Sequence, residues 1–113
     1  MCCKDTLTDI SETIAKTAKE AFGDKFDSAV LYGSYARGDF DEGSDIDIMI
    51  LANIPRAELA CYKKKFSRLT SELGLKYDVV ITVTLKDSET FYKFQNTVPF
   101  YSNIQKEGIR IAV

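Results

Sequence analysis

The sequence contains neither histidine nor tryptophan among its 113 residues. The lack of histidine excludes a Ser-His-Asp or Cys-His nucleophile within the chain, and also zinc and haem sites that depend on histidine ligands. Any chemistry must therefore rest on carboxylates, lysine, tyrosine, cysteine or a bound metal ion.

Cysteine is scarce, and its placement argues against a structural role. The three cysteines, Cys2, Cys3 and Cys61, are odd in number and form no C-x-x-C pair, so they support neither a disulfide framework nor a thiolate metal site. The first residues contain no apolar signal region, and no apolar run is long enough to span a membrane. We therefore expect reduced thiols, a cytoplasmic location and no membrane association.

Charge is nearly balanced, with 17 acidic and 15 basic residues and a net charge of −2. The chain is 45% hydrophobic and 28% charged. This composition and length are typical of one soluble globular domain over residues 1–113. The charge gives no overall attraction to nucleic acid, and Lys64, Lys65 and Arg68 lie largely on the solvent side of a predicted helix. We therefore expect no direct nucleic-acid binding.

Hydrophobic periodicity predicts two long helices and shorter ones near the C-terminus. Apolar residues recur at helical spacing after Asp9, which has a capping-box glutamate three residues later, and Gly23 is expected to end that helix. A second helix is predicted to start at Pro55 and to stop at Gly74. Another is expected after Asp87 and Ser88, and Pro99 is expected to open a further short helical segment.

Between the helices, runs of apolar and β-branched residues predict strands at 29–32, 45–51 and 77–84, with an edge strand at 109–113. The third of these strands carries Asp78 near its start. Strands that alternate with helices predict an α/β (α+β) fold, in which a small mixed β-sheet is flanked by helices.

The loop after the first predicted strand has the sequence GSYARGDFDEGSDID. Gly33 and Gly38 have P-loop spacing, but Asp39 and Phe40 stand where lysine and serine or threonine are required, so a Walker A site is excluded. What remains is Gly33 followed by Ser34 at a strand end, where backbone N–H groups can approach a phosphate. Alone, this pair is more typical of an ordinary turn after a strand.

Asp45 and Asp47 lie two residues apart on the second predicted strand, so both side chains face the same way with roughly 7 Å between their Cα atoms. Such carboxylates can converge on a shared centre, and hard oxygen donors of this kind favour Mg²⁺. The alternative is the solvated face of a half-buried strand. Two features oppose it: Met49 and Leu51 continue the same face as apolar, and like charges at this spacing repel unless a cation lies between them.

The combined pattern, Gly-Ser-x-x-Arg-Gly, five residues, Ser-Asp-x-Asp and an apolar strand, resembles the signature of the polymerase β-like nucleotidyltransferase superfamily. Within it, the chain resembles the minimal nucleotidyltransferases, the antitoxin partners of HEPN-domain toxins. The resemblance covers nearly the whole chain, including Asp78 and the tail at 103–109. The last residues, Ala112 and Val113, depart from the Leu-Tyr of many relatives but touch no proposed catalytic position.

The resemblance implies a polymerase β-like nucleotidyltransferase fold and assigns catalytic roles to three aspartates. Asp45 and Asp47 would hold two Mg²⁺ ions, and Asp78 would join one of them and orient or deprotonate an acceptor hydroxyl. The acceptor would attack the α-phosphate of a nucleoside triphosphate, with ATP as the expected donor, and pyrophosphate would leave.

Nucleotide-binding roles are implied for four residues in or beside the loop. Gly33 and Ser34 would cradle the outer phosphates. Arg37 would neutralise a phosphate, with structural pairing to a nearby aspartate as the alternative. Ser44 would orient Asp45 or the loop.

For function, the resemblance implies adenylylation of a tyrosine on a partner HEPN-domain RNase, which would silence a toxin. Two alternatives stay open. The chain could be a non-catalytic antitoxin that neutralises its partner by occlusion, or a nucleotidyltransferase that acts on a small molecule. The sequence contains no evident acceptor-binding domain, and it leaves oligomerisation open.

Overall fold

The computed structural model describes residues 4–32, 45–95, 97–99, 104, 106 and 108–111. The helices are α1 (Lys4–Phe22), α2 (Arg56–Leu59), α3 (Lys63–Tyr77) and α4 (Ser88–Phe94). The strands are β1 (Phe26–Tyr32), β2 (Ile46–Ala52), β3 (Ile81–Asp87) and β4 (Ile109–Arg110). Short 3-10 turns follow α1 at Gly23–Lys25 and α2 at Ala60–Tyr62.

The strands form one mixed sheet in the order β3-β2-β1-β4. Strand β1 pairs antiparallel with both β2 and β4, whereas β2 and β3 run parallel. Tyr32 lies opposite Asp47 across the β1–β2 pair, and Ile46 lies opposite Ile81 across the β2–β3 pair. The predicted small mixed sheet flanked by helices is therefore confirmed.

Each face of the sheet has its own apolar cluster, because side chains alternate along β2. Ile46, Ile48 and Ile50 pack on the face covered by α1 and α3. Met49 and Leu51 pack on the other face. The members of that second cluster are Val30, Met49, Leu51, Phe91 and Ile104. Covering both faces of β2 fixes the register of the strand, because a slip of one residue would exchange the two sets.

Helix α1 begins at Lys4, five residues before the expected start at Asp9. The Asp9 carbonyl accepts a hydrogen bond from Thr13 Oγ1 at 2.7 Å, so Asp9 lies inside the helix and is not its cap. The longer helix has a physical cause: Leu7 packs against the core and extends the stripe of Ile10 and Ile14 by another turn. At the other end Gly23 follows the last helical residue with φ +56°, as predicted.

The second predicted helix differs from expectation in two ways. A 3-10 turn divides it into α2 and α3, and Gly74 does not end it, because α3 continues to Tyr77. Gly74 has a different role: a Cβ at this position would lie 2.8 Å from the Val79 carbonyl oxygen. Its carbonyl also accepts a hydrogen bond from the Val79 N–H at 3.0 Å. The glycine therefore permits close approach between the helix and the chain that follows it.

Strand β3 consequently begins at Ile81, four residues later than predicted. Asp78 is the C-terminal cap of α3 and adopts the left-handed conformation, with φ 55° and ψ 51°. Aspartate tolerates this conformation better than most residues, which explains how the helix ends without a glycine. The prediction that Asp78 lies on the strand is wrong. Helix α4 begins as expected, since the Asp87 carboxylate accepts the Thr90 N–H at 3.0 Å.

Candidate active site at the start of strand β2

Two of the predicted aspartates lie where β2 begins. Asp45 immediately precedes the strand and is exposed, and Asp47 is its second residue and is half-buried. Asp47 shares its face with Met49 and Leu51, both of which are buried against the second apolar cluster. The predicted continuation of the aspartate face as an apolar surface is thus confirmed, so Asp47 lies at the border between core and solvent.

Burial raises the pKa of the Asp47 carboxyl above its ordinary value of 3.8, and the negative charge of Asp45 raises it further. Both causes disfavour the ionised form. The two carboxylates therefore act on each other electrostatically, which is the interaction that a bound cation would relieve.

Tyr32 is a residue of this site that the sequence reasoning missed. It lies opposite Asp47, and its hydroxyl is 3.5 Å from the Oγ1 of Thr84 on β3. Burial raises the Tyr32 pKa, the Thr84 hydrogen bond lowers it, and the charge of Asp47 raises it. The sequence could have predicted this position. Side chains alternate along β1, so Tyr32 shares a face with Val30, which packs with Met49 on the aspartate face of the sheet.

Asp78 occupies the turn between α3 and β3 and is exposed. Two residues later, the Val80 carbonyl accepts a hydrogen bond from the Ile46 N–H at 2.9 Å. The chain that follows Asp78 is thereby held beside the start of β2. Within the described ranges, no three acidic or cysteine side chains are grouped closely enough to hold a metal ion. A ligand set of Asp45, Asp47 and Asp78 therefore stays a prediction.

The predicted nucleotide-binding residues Gly33, Ser34, Arg37 and Ser44 lie outside the described residues. Their flanks are described: β1 ends at Tyr32, and the chain resumes at Asp45. The antiparallel pairing of β1 with β2 places these flanks together at one end of the sheet. The loop that carries the four residues thus leaves and re-enters the sheet beside Asp47.

Residues 12–111 match the nucleotidyltransferase domain family. The chain belongs to this family. A similar nucleotidyltransferase from Methanocaldococcus jannaschii, which bears the provisional name protein adenylyltransferase, is 31% identical over 105 residues, covering 93% of this chain and 98% of the relative. The two carboxylates at the start of β2, Asp45 and Asp47, therefore lie in a member of the nucleotidyltransferase family.

Solved structures with low sequence identity share the fold of this nucleotidyltransferase. A toxin–antitoxin structure with AMP-PNP aligns with a TM-score of 0.55 at 20% identity, covering 93% of this chain and 72% of that chain. A complex of a tri-AMPylated HEPN toxin from Shewanella oneidensis with an MNT antitoxin aligns with a TM-score of 0.50 at 18% identity, covering 94% and 71%. These likenesses confirm the nucleotidyltransferase fold.

No helix of this nucleotidyltransferase, in the parts that the structure describes, combines the length and apolar character that a bilayer crossing needs.

Proposed function

We propose that this nucleotidyltransferase is a Mg²⁺-dependent protein adenylyltransferase that uses ATP and modifies a tyrosine of a HEPN-domain toxin. The observation that carries the proposal is the position of two carboxylates, Asp45 and Asp47, at the start of β2 in a chain of the nucleotidyltransferase family. The name of the M. jannaschii relative and the AMPylated toxin in the Shewanella oneidensis complex support a protein acceptor. The AMP-PNP structure supports a nucleoside triphosphate as donor.

The donor set fits a hard divalent cation. Asp45 and Asp47 supply carboxylate oxygens, and the raised pKa of Asp47 reflects in part a repulsion that a cation would remove. We assign these two residues, with Asp78, to Mg²⁺ binding. When bound, such ions polarise phosphate oxygens and stabilise the attacking and leaving oxygens of an in-line displacement.

Residues in and beside the loop between β1 and β2 bind and orient the nucleotide. Gly33 and Ser34 bind the outer phosphates through backbone N–H groups and the serine hydroxyl. Arg37 neutralises phosphate charge, and Ser44 orients the loop before Asp45. Tyr32 lies opposite Asp47 across the β1–β2 pair; burial raises the pKa of the tyrosine hydroxyl, and Asp47 is close enough for its charge to raise that pKa further.

The reaction is a displacement at the α-phosphorus. The acceptor hydroxyl oxygen forms a bond to this phosphorus, the bond to the bridging oxygen of the β-phosphate breaks, and pyrophosphate leaves. Asp78 orients the hydroxyl or takes up its proton. Its exposed position in the turn before β3 is open to an acceptor carried by another protein.

We also take residues 1–113 as a single domain, because both apolar clusters are built on the same strands. The cytoplasmic location expected from the sequence remains a prediction.

The position of the label in ATP tests the reaction type. The protein is incubated with a catalytically inactive HEPN toxin and ATP labelled on either its α- or its γ-phosphate. We expect the α-label on the toxin and the γ-label in released pyrophosphate, with both signals lost when a chelator removes Mg²⁺. Transfer of the γ-label would identify a kinase reaction and overturn the proposal.

A comparison of variants separates catalysis from occlusion. If Asp45→Asn and Asp47→Asn still neutralise the toxin as well as the unmodified protein does, neutralisation is by occlusion. If the label appears on a small molecule added with ATP but not on the toxin, the acceptor class is wrong.

A further inference from the structure

A groove runs along the outer edge of the sheet, which strand β3 forms. It borders the candidate active site, because its lining includes Thr82, which lies opposite Asp47, and Thr84, which contacts Tyr32. Two adjoining cavities of about 460 and 760 Å³ form it, and together they follow β3 over its whole length. Helices α2 and α3 form the opposite wall, through Arg56, Lys63 and Ser67 among others. A groove with a strand on one side and a helix on the other is the form in which several domains bind an extended peptide.

Strand β3 is the edge of the sheet, and β2 is its hydrogen-bonding neighbour. The Val80 carbonyl points towards β2, because it accepts the Ile46 N–H. Backbone groups of successive strand residues alternate in direction, so those of Ile81, Val83 and Leu85 point outwards. Among the described residues, no strand pairs with this outer edge. It therefore offers a row of donors and acceptors to an added strand.

The groove is basic. Lys63 borders both cavities and also a neighbouring one of about 520 Å³ lined by Lys64 and Arg68. Arg56 and Lys86 line the larger of the two cavities along β3. Among the described residues that line this cavity, the acidic one is Asp87, whose carboxylate already caps α4 through the Thr90 N–H.

We propose that the outer edge of β3 binds an extended acidic segment of a protein partner as an additional strand. Backbone hydrogen bonds to Ile81, Val83 and Leu85 would hold the segment, and its carboxylates would face Lys63 and Arg56 across the groove. A second copy of this chain is disfavoured as the occupant, because pairing two β3 edges would bring two basic grooves together. The proposal does not depend on nucleotide transfer. Peptide binding can therefore fail while the proposed function stands, and the proposed function can fail while peptide binding stands.

Peptide binding tests the proposal. The probe is a fluorescein-labelled peptide of alternating glutamate and valine, and its binding is followed by fluorescence anisotropy at low ionic strength. The matched peptides carry lysine in place of glutamate, or retain glutamate with every backbone nitrogen methylated. We expect the acidic peptide to bind, and both changes to weaken binding by at least about tenfold, because one removes charge complementarity and the other removes the backbone donors.

Charge reversal identifies the surface. Lys63→Glu is expected to weaken binding of the acidic peptide by at least about fivefold. Lys16→Glu, the same change at an exposed position of α1 that borders none of these cavities, should leave binding unchanged. Equal binding of the methylated peptide, or equal effects of the two variants, would show attraction without strand addition and overturn the proposal.

Two further outcomes would also overturn it. One is a single-stranded oligouridylate that binds more tightly than the acidic peptide and displaces it, which would mark the groove as a nucleic-acid surface. The other is a free protein that sediments as a dimer and loses that dimer when the peptide is added, which would assign the edge to a second copy.

Discussion

The hydroxyl of Tyr32 on β1 lies 3.5 Å from the hydroxyl of Thr84 on β3, although strand β2 separates the two. Because Tyr32 lies opposite Asp47 and Thr84 lies opposite Met49, the tyrosine side chain crosses β2 beside the candidate catalytic carboxylate. This contact links β1 to β3 across the intervening strand β2. Tyr32 and Thr84 are both strand residues, so this side of the site is formed by the sheet and not by the loop between β1 and β2.

Tyr32→Phe tests the contribution of this hydroxyl. The change keeps the ring and removes the contact with Thr84, so we expect the free energy of unfolding to fall by about 0.5–1.5 kcal/mol. Urea denaturation followed by circular dichroism measures it. Thr84→Val should cost a similar amount, and the double variant should cost less than the sum of the two. Fully additive effects would show that the hydroxyls do not interact.

Asp45→Asn should lower the pKa of Asp47. The negative charge of Asp45 is the second cause of the raised value, so its removal brings the pKa closer to 3.8. It should stay above 3.8, because burial is the first cause and is unchanged. Carboxyl-selective NMR titration of the metal-free protein reports both values, with Asp24→Asn as the control for an exposed acid elsewhere. An unchanged Asp47 pKa would contradict the electrostatic coupling.

Asp47→Asn should stabilise the metal-free protein at neutral pH. The pKa of Asp47 is higher in the folded than in the unfolded state, so the native state holds the proton more tightly. The stabilisation of the folded state that results is complete below pH 3.8. It is lost as the pH rises through the folded pKa, so ionised Asp47 is a net cost at pH 7. We expect a higher thermal midpoint for the variant at pH 7 and no advantage below pH 3.8. A lower midpoint at pH 7 would contradict the sign of the shift.

The turn before β3 constrains substitutions of Asp78. Its left-handed backbone suits asparagine better than alanine, so Asp78→Asn removes the charge while keeping the turn. We expect Asp78→Asn to retain the thermal midpoint and to reduce transfer. Asp78→Ala should lower the free energy of unfolding by about 1 kcal/mol. Retained transfer in the asparagine variant would remove Asp78 from the catalytic set.

Gly74→Ala should destabilise the protein, although alanine favours helices more than glycine does. The added Cβ would lie 2.8 Å from the Val79 carbonyl oxygen, which is backbone and therefore moves only with the turn that contains Asp78. Thermal unfolding measures the loss, and Ser71→Ala, at an exposed position of the same helix, serves as the control. A stabilised Gly74→Ala variant would show that the turn moves freely.

Strand β2 illustrates what the sequence could predict. Its alternation of aspartate with isoleucine, followed by Met49 and Leu51, contains both the strand period and the identity of each face, and the structure confirms both. The family pattern across Gly33 to Asp47 likewise depends on local spacing. Such features are encoded in neighbouring residues, and pairing with β1 and β3 does not alter them.

The turn at Asp78 shows what the sequence could not predict. Tyr77, Val79 and Ile81 alternate like a strand, and Gly74 is typical of a helix end. Tertiary packing decides otherwise: α3 continues past Gly74, and the glycine serves close approach to Val79. The contact of Tyr32 with Thr84 also depends on the order of the strands in the sheet, which no local sequence pattern encodes.

Intact-mass analysis of the toxin tests the central claim most directly. An inactive HEPN toxin is incubated with ATP, Mg²⁺ and either this nucleotidyltransferase or its Asp45→Asn, Asp47→Asn or Asp24→Asn variant. We expect the toxin to gain the mass of one or more adenylyl groups on tyrosine with the unmodified protein and with Asp24→Asn, and to gain none with Asp45→Asn or Asp47→Asn. An unmodified toxin, or an equal gain with the Asp45 and Asp47 variants, would contradict the account.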